Sequence, residues 1–357
     1  MNAIDERGAK PYAGSSRLSL LDVDDPRWLQ LVRRSPDATL FHHPAWVHLV
    51  ADCYGYDAHV AAVTAGDGGQ VAAGVPIAEV RTPLQGKRWL ALPFTDHCPP
   101  LGGEGARRLL AVAIAEAARL LRVSSVEVRG ELSGTAGFVS SLAAVRHTLT
   151  LSPAAPDVYA RLSSMHQRNI RRAIRSGVEV ERGSSTTDLD IFYELHVRTR
   201  RRHGVPIQPR RFFDLLQHRI LEAGYGFLLT ARLDGVPLAS AVFLAWNGVL
   251  IYKYGASDER LWQHRANNLV LWSAIKWGCE TGCRTFDLGR TDLEDTGLRS
   301  FKDGWGATEE PLLHSGSGPS MGERTRPMVQ RVLSLIIRRS HPWLSRALGE
   351  LLYKYAA

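Results

Sequence analysis

Lysine is scarce in this basic chain: six lysines stand among 44 Lys and Arg side chains, the rest being arginine. The four cysteines, Cys53, Cys98, Cys279 and Cys283, are too few and too scattered for a disulfide framework, and no CxxC pair offers a zinc site. No apolar run approaches the ~18 residues of a membrane-spanning helix. Met1 to Ser16 is charged and turn-rich without an apolar core, unlike a secretory signal. HExxH, GxSxG, P-loop and GxGxxG segments are all missing, which removes the usual carriers of zinc hydrolysis, serine-esterase, nucleotide-cleaving and dinucleotide chemistry. These absences predict a cytoplasmic globular protein with reduced thiols, no metal and no bound cofactor.

What is present is 357 residues, 45% hydrophobic and 22% charged, with a net charge of +8. That is ordinary globular composition, and the length suggests two domains. The arginines are clustered. Arg161, Arg168, Arg171, Arg172 and Arg175 form one acid-free run; Arg198, Arg200, Arg201, Arg202, Arg210 and Arg211 form another. Guanidinium forks bind phosphate oxygens bidentately, so such runs suit a phosphate-bearing partner or else form a solvated helix face. At three- and four-residue spacing, Arg168, Arg171, Arg172 and Arg175 share one face of a helix.

The hydrophobic pattern repeats. Residues 1–150 read as a helix (44–54), a hairpin (59–64 and 71–80), a strand (89–92), a long helix (106–122) and a strand (125–129). Residues 151–316 read as helices at 157–176, 189–202 and 209–222, a hairpin at 226–246 with an Asp-Gly reversal, a strand at 249–254, a helix at 267–281 and a strand at 285–288. Two α/β copies are expected, divided near 149–156, each with its own sheet, meeting along a cleft. Residues 315–320 read as a Gly/Ser linker. The remaining tail, 317–357, is basic and amphipathic over 328–355, and either docks on the first domain or lies on an anionic membrane surface.

Several segments carry a family resemblance: "LFHHPAWVHLV" (40–50), "LPFTDHCPPLGG" (92–103), "RNIRRAIRSGVEV" (168–180), "YELHVRTRRRHGVP" (193–206), "YKYGASDE" (252–259), "NNLVLWSAIKWGCETGCRTFDLGR" (267–290) and "GLRSFKDGWG" (297–306). In order and spacing they resemble the Fem-type (FemA/FemB-like) branch of the GNAT acyltransferase superfamily. The resemblance implies an α/β (α+β) fold of tandem GNAT-like domains, each a mainly antiparallel mixed sheet flanked by helices. It implies amide formation: an aminoacyl group passes from aminoacyl-tRNA to an amine of a cell-wall precursor or small molecule. The alternatives are an acyl-CoA-dependent N-acyltransferase and a non-catalytic phosphate- or membrane-binding module. The long helical arm of some Fem enzymes is missing.

Such chemistry requires a neutral amine and a stabilised oxyanion. Matching the family motif, Phe301 and Lys302 are the substrate-facing pair, with Trp305 beside them and the ammonium near a phosphate or the oxyanion. Asp287 and Arg290 flank Gly289 at a strand's C-terminal end, where open α/β sheets bind ligands, or they pair to order the turn. Asp96 and His97 either take a proton from the amine or cap their loop. Tyr254 is placed with the substrate. Asn267 and Asn268 stand where ordinary GNAT domains hold a donor pyrophosphate, without the glycines that admit it closely. Together with Arg168, Arg171, Arg172 and Arg175 they are the candidate donor contacts.

Overall fold

The computed structural model describes residues 18–65, 69–82, 86–132 and 137–318, together with Ser334, Ile337 and Arg338. The first half holds β1 (Ser19–Leu21), α1 (Pro26–Arg34), α2 (Pro44–Tyr54), β2 (Asp57–Thr64), β3 (Val71–Thr82), β4 (Gly86–Leu90), β5 (Leu101–Gly102), α3 (Glu104–Leu120), β6 (Ser125–Val128) and β7 (Val139–Thr150). The second half begins with α4 (Ala155–Arg161), α5 (Ser164–Arg175), β8 (Glu179–Gly183), α6 (Thr186–His203) and α7 (Arg210–Leu216). It continues with β9 (Gly226–Leu233), β10 (Val236–Trp246), β11 (Val249–Ser257), α8 (Ala266–Glu280), β12 (Thr285–Thr291), α9 (Thr296–Asp303) and β13 (Thr308–Ser317).

The fold is mixed α/β and mainly antiparallel, but the expectation of two separate sheets is corrected. One sheet runs through both halves in the order β1-β2-β3-β4-β6-β13-β7-β12-β11-β10-β9-β8, with β5 on β3. The join is an exchange of strands. β13, from the end of the second half, pairs antiparallel with both β6 and β7, and β7 in turn pairs with β12. Residues 315–317, read from sequence as linker, are therefore ladder residues; their Gly/Ser composition fits the interior because Ser315 is fully buried and donates from Oγ to the Gly130 carbonyl (2.9 Å). The single helix expected over 157–176 is two, because Ser163 breaks it: its Oγ accepts from the His166 N–H and caps α5.

The parallel pairs are β4–β6 and β11–β12, one in each half. Between β11 and β12 pairing stops at Ile251–Asp287, although the strands continue to Ser257 and Thr291. The strands diverge beyond that point, and Asp287 stands at the fork. In the first half the chain leaves the equivalent pair at Leu90 and enters a loop in which Leu92 and Phe94 hold positive φ (49° and 61°), a conformation unfavourable for bulky side chains. That loop carries Asp96 and His97. Helices cover both faces: α2, α6 and α7 enclose one second-half core around Phe192, Phe212 and Phe213, while α5 and α8 enclose another around Phe243, Phe286 and Trp305.

The helices expected at 328–339 and 343–355 lie outside the described residues apart from three. Of these, Ile337 is buried, and Arg338 Nη2 donates to the His203 carbonyl at the end of α6 (3.5 Å).

Candidate active site

Lys302 is helical and buried, not on an exposed loop. Asp295 caps α9 through Oδ1, accepting from the Leu298 N–H (2.9 Å), and the amphipathic turn that follows carries Lys302 inward, leaving it 4% exposed. Its Nζ donates to the carbonyls of Gly289 (2.8 Å) and Arg290 (3.0 Å). Those carbonyls lie where β12 bulges against β7, with Gly289 at φ 75°. An ammonium has three N–H groups, so one remains for a ligand. Burial brings its pKa down to about 8, against the opposing pull of Asp287, Asp96 and Asp295.

Asp287 is buried at the fork. Burial raises its carboxyl above the ordinary range, opposed by Arg146 and by the Gly289 N–H, which donates to Oδ1 at 2.7 Å. Its ionic partner is Arg146 (3.7 Å), not Arg290, which instead pairs with Asp292 (2.7 Å) and is well exposed. Arg146 Nη1 also donates to His97 Nδ1 (3.3 Å), and Nη2 pairs with Glu310 (2.6 Å). Burial, then Arg146, depresses the His97 pKa to about 3, so its imidazole is neutral near pH 7.

Asp96 faces Lys253. The Lys253 Nζ donates to Asp96 Oδ2 (3.0 Å) and to the Phe94 carbonyl (3.3 Å), and it stands 5.1–5.5 Å from the ring centroids of Phe41, Trp46 and Tyr254. Burial raises the Asp96 pKa, and Lys253 with Arg129 and Arg290 outweighs it, holding the group ionised. A carboxyl depressed in the folded state stabilises the fold above its unfolded pKa, and that contribution disappears as pH falls through the folded value. In Lys253→Met the contribution is absent, so the stability gap between wild type and variant is expected to narrow on acidification, as urea midpoints from pH 7 to pH 3 would record. A constant gap would mean the pair contributes nothing.

Behind α9, His166 stacks on Trp305 (centroids 4.4 Å apart). Its Nδ1 accepts from Asn268 Nδ2 (2.8 Å), which makes Nε2 the donor to the Phe301 carbonyl (2.9 Å). Gly304 leaves room for the ring: a Cβ there would come within 2.8 Å of it. Trp305, expected to contact substrate, is fully buried and supports α9 from within the core. Asn268 is buried and its amide belongs to this network, whereas Asn267 is exposed. Tyr254 packs against His196, Phe212 and Phe213 and forms one wall around Lys253.

Two cavities lie near these residues, one reached by Asp287 and the other by Phe301. The larger, about 610 Å³, lies where the halves meet and is lined by Arg34, Asp37, His97, Arg107, Arg146 and Asp287 among others. The smaller, about 180 Å³, is lined by Leu238, Ser257, Trp262, Asn267, Asn268 and Phe301 among others. Asp287 thus faces one cavity and Phe301 the other. Of the first arginine cluster, Arg168, Arg171, Arg172 and Arg175 stand exposed on α5, where Arg168 and Arg171 bond locally to Ser164 Oγ and the Gln167 carbonyl, while Arg161 ends α4 and donates to the Thr150 carbonyl (2.8 Å). Three of the six arginines of the second cluster are paired with acids: Arg198 with Asp258, Arg202 with Glu259, and Arg210 with Asp190 and, one helical turn on, Asp214.

Residues 160–302 match the acetyltransferase (GNAT) domain family. A 148-residue stretch is 28% identical to the UDP-N-acetylmuramoylpentapeptide-lysine N(6)-alanyltransferase of Weissella viridescens, covering 42% of this chain and 44% of that enzyme. Residues 160–302 are thus similar to a GNAT domain, and the aligned stretch is similar to a Fem-type alanyltransferase. The chain superposes on the crystal structure of FemX with a TM-score of 0.67 at 15% identity, over 89% of this chain and 100% of that one. It also superposes on a tandem GNAT protein from the clavulanic acid biosynthesis pathway (TM-score 0.50, 14% identity, 85% and 99% covered). The aligned Weissella stretch is less than half of that enzyme's length. Arg146 and Lys253 were not foreseen from the sequence. Lys253 sits in "YKYGASDE" and could have been singled out by the scarcity of lysine; Arg146 had no signal, because β7 itself was not foreseen.

Proposed function

We propose that the chain is an N-aminoacyltransferase that moves an aminoacyl group from aminoacyl-tRNA to an amine of a cell-wall precursor. The observation that carries this reading is the buried Lys302 ammonium, held by the Gly289 and Arg290 carbonyls with one N–H unused, beside the buried Asp287 that lines the larger cavity. The Weissella relative, named as an alanyltransferase acting on a UDP-linked muropeptide lysine, supports this acceptor class.

In this reading the acceptor amine enters the larger cavity and the donor ester the smaller. Asp287, whose carboxyl is shifted upward by burial, takes the proton from the incoming ammonium. The neutral nitrogen attacks the ester carbonyl, and Lys302 stabilises the oxyanion that forms. On collapse the C–N bond is kept and the C–O bond to the tRNA ribose breaks; the attacking nitrogen sheds one proton to become an amide, and the departing oxygen takes up one and leaves as a hydroxyl. Arg146 orients Asp287 and His97, and Lys253 holds Asp96 ionised beside them. No metal or resident cofactor is required.

The test is an assay with labelled aminoacyl-tRNA and acyl-CoA side by side, using a UDP-linked muropeptide with a free lysine as acceptor. Amide product from aminoacyl-tRNA alone is expected; product from acyl-CoA alone would replace the donor, and product from neither would remove the enzymatic reading. The exposed arginines of α5 supply a second measure. Replacing Arg171 and Arg172 together is expected to raise the donor KM and to flatten its salt dependence by about one unit of slope per lost phosphate contact. Equal slopes for both proteins would make the cluster a solvated face.

A further inference from the structure

The smaller cavity has a wall that the transfer chemistry leaves unused. Trp262, in the short helical turn Glu259–His264, is 48% exposed and lines this cavity. Its Nε1 donates to Ser257 Oγ (3.1 Å), which fixes the plane of the ring. The Arg202 guanidinium lies 4.7 Å from the ring centroid and is itself held by Glu259 (3.7 Å). Arg265, exposed and in the left-handed conformation (φ 58°), stands in the same cavity at the start of α8. Leu238 and Phe301 add apolar wall, and Asp258, Asn267 and Asn268 add polar wall.

A tethered indole backed by a guanidinium is a stacking surface for a flat heteroaromatic, and the neighbouring arginines favour one that carries phosphate. We propose that Trp262, backed by Arg202, stacks the adenine of the donor, with Arg265 toward the adjoining phosphate. This rests on the donor occupying the smaller cavity. Both candidate donors contain adenosine, but the distances separate them. Trp262 and Phe301 share one cavity of about 180 Å³, and Phe301 precedes Lys302. In aminoacyl-tRNA the adenine and the ester sit on the same terminal ribose, whereas in acyl-CoA the pantetheine arm holds them far apart. The geometry favours the tRNA terminus.

The experiment measures steady-state transfer from an aminoacylated RNA minihelix and, in parallel, from acyl-CoA. Trp262→Ala is expected to raise the minihelix KM about tenfold with kcat nearly unchanged, because stacking acts equally on ground and transition states. Trp262→Phe, which keeps a π-face, is expected to recover most of the loss. A minihelix whose terminal nucleotide lacks its base should show a raised KM with wild type and no further rise with Trp262→Ala. An unchanged KM in Trp262→Ala, or the same sensitivity on the abasic minihelix, overturns the proposal while leaving the transferase reading intact. A shift seen only with acyl-CoA assigns the platform to the other adenosine and overturns the tRNA assignment. No transfer by wild type from either donor overturns both.

Discussion

Lys302→Ala is expected to lower kcat by ~10²–10³ while leaving the protein folded, the magnitude typical of removing one oxyanion donor from a water-poor site. The neutral, similarly shaped Lys302→Met should do the same. Lys302→Arg should not rescue, because a planar five-donor fork does not fit where one ammonium bridges the Gly289 and Arg290 carbonyls. The pH profile carries a second signature. With a pKa of about 8 in the free protein, the ammonium is present below that value and lost above it. Wild-type kcat/KM should therefore decline as pH rises through about 8, and Lys302→Met should lack that limb. A folded Lys302→Ala protein with kcat within about twofold of wild type would take Lys302 out of the chemistry, since a lost oxyanion contact costs far more.

Trp305→Ala is expected to destabilise the protein by ~3–5 kcal/mol, the usual cost of emptying a large aromatic site in a packed core. The side chain is fully buried and lies against His166 and Phe301, so the cavity would open directly under α9. Trp305→Phe should cost much less. It retains ring packing, and it removes an indole N–H that has no hydrogen-bond partner among the described residues. Urea unfolding of the three proteins gives the comparison. A loss below ~1 kcal/mol for Trp305→Ala would mean that the core collapses to fill the gap.

These two residues are neighbours in "FKDGWG", and their separate fates show how far local sequence reaches. The segment resembles a substrate-facing motif, which drew attention to Lys302 and Trp305 alike. Its two glycines read as a turn, so the helix capped by Asp295 was not foreseen. Helix geometry then points one residue toward the β12 bulge and buries the other against His166. The acid–base partners behaved similarly. Asp96 was read with its neighbour His97 and Asp287 with its neighbour Arg290, and each proved to be matched with a cation, Lys253 or Arg146, supplied from more than a hundred residues away.

The sequence by itself determined the α/β class, the hairpins at 226–246 and 59–80, and the long helices α3, α6 and α8. Those follow from periodicity, turn chemistry and short-range spacing, all of which act within about twenty residues. Only the tertiary structure decided the rest: the exchange of β7 and β13 that fuses two sheets into one, the pairing of Arg198 and Arg202 with Asp258 and Glu259, and the matching of Asp96 and Asp287 with Lys253 and Arg146. Each depends on strands or side chains brought together from opposite ends of the chain. Strand pairing and ion pairing at that range are set by which surfaces exclude water together, and no local pattern of residues records it.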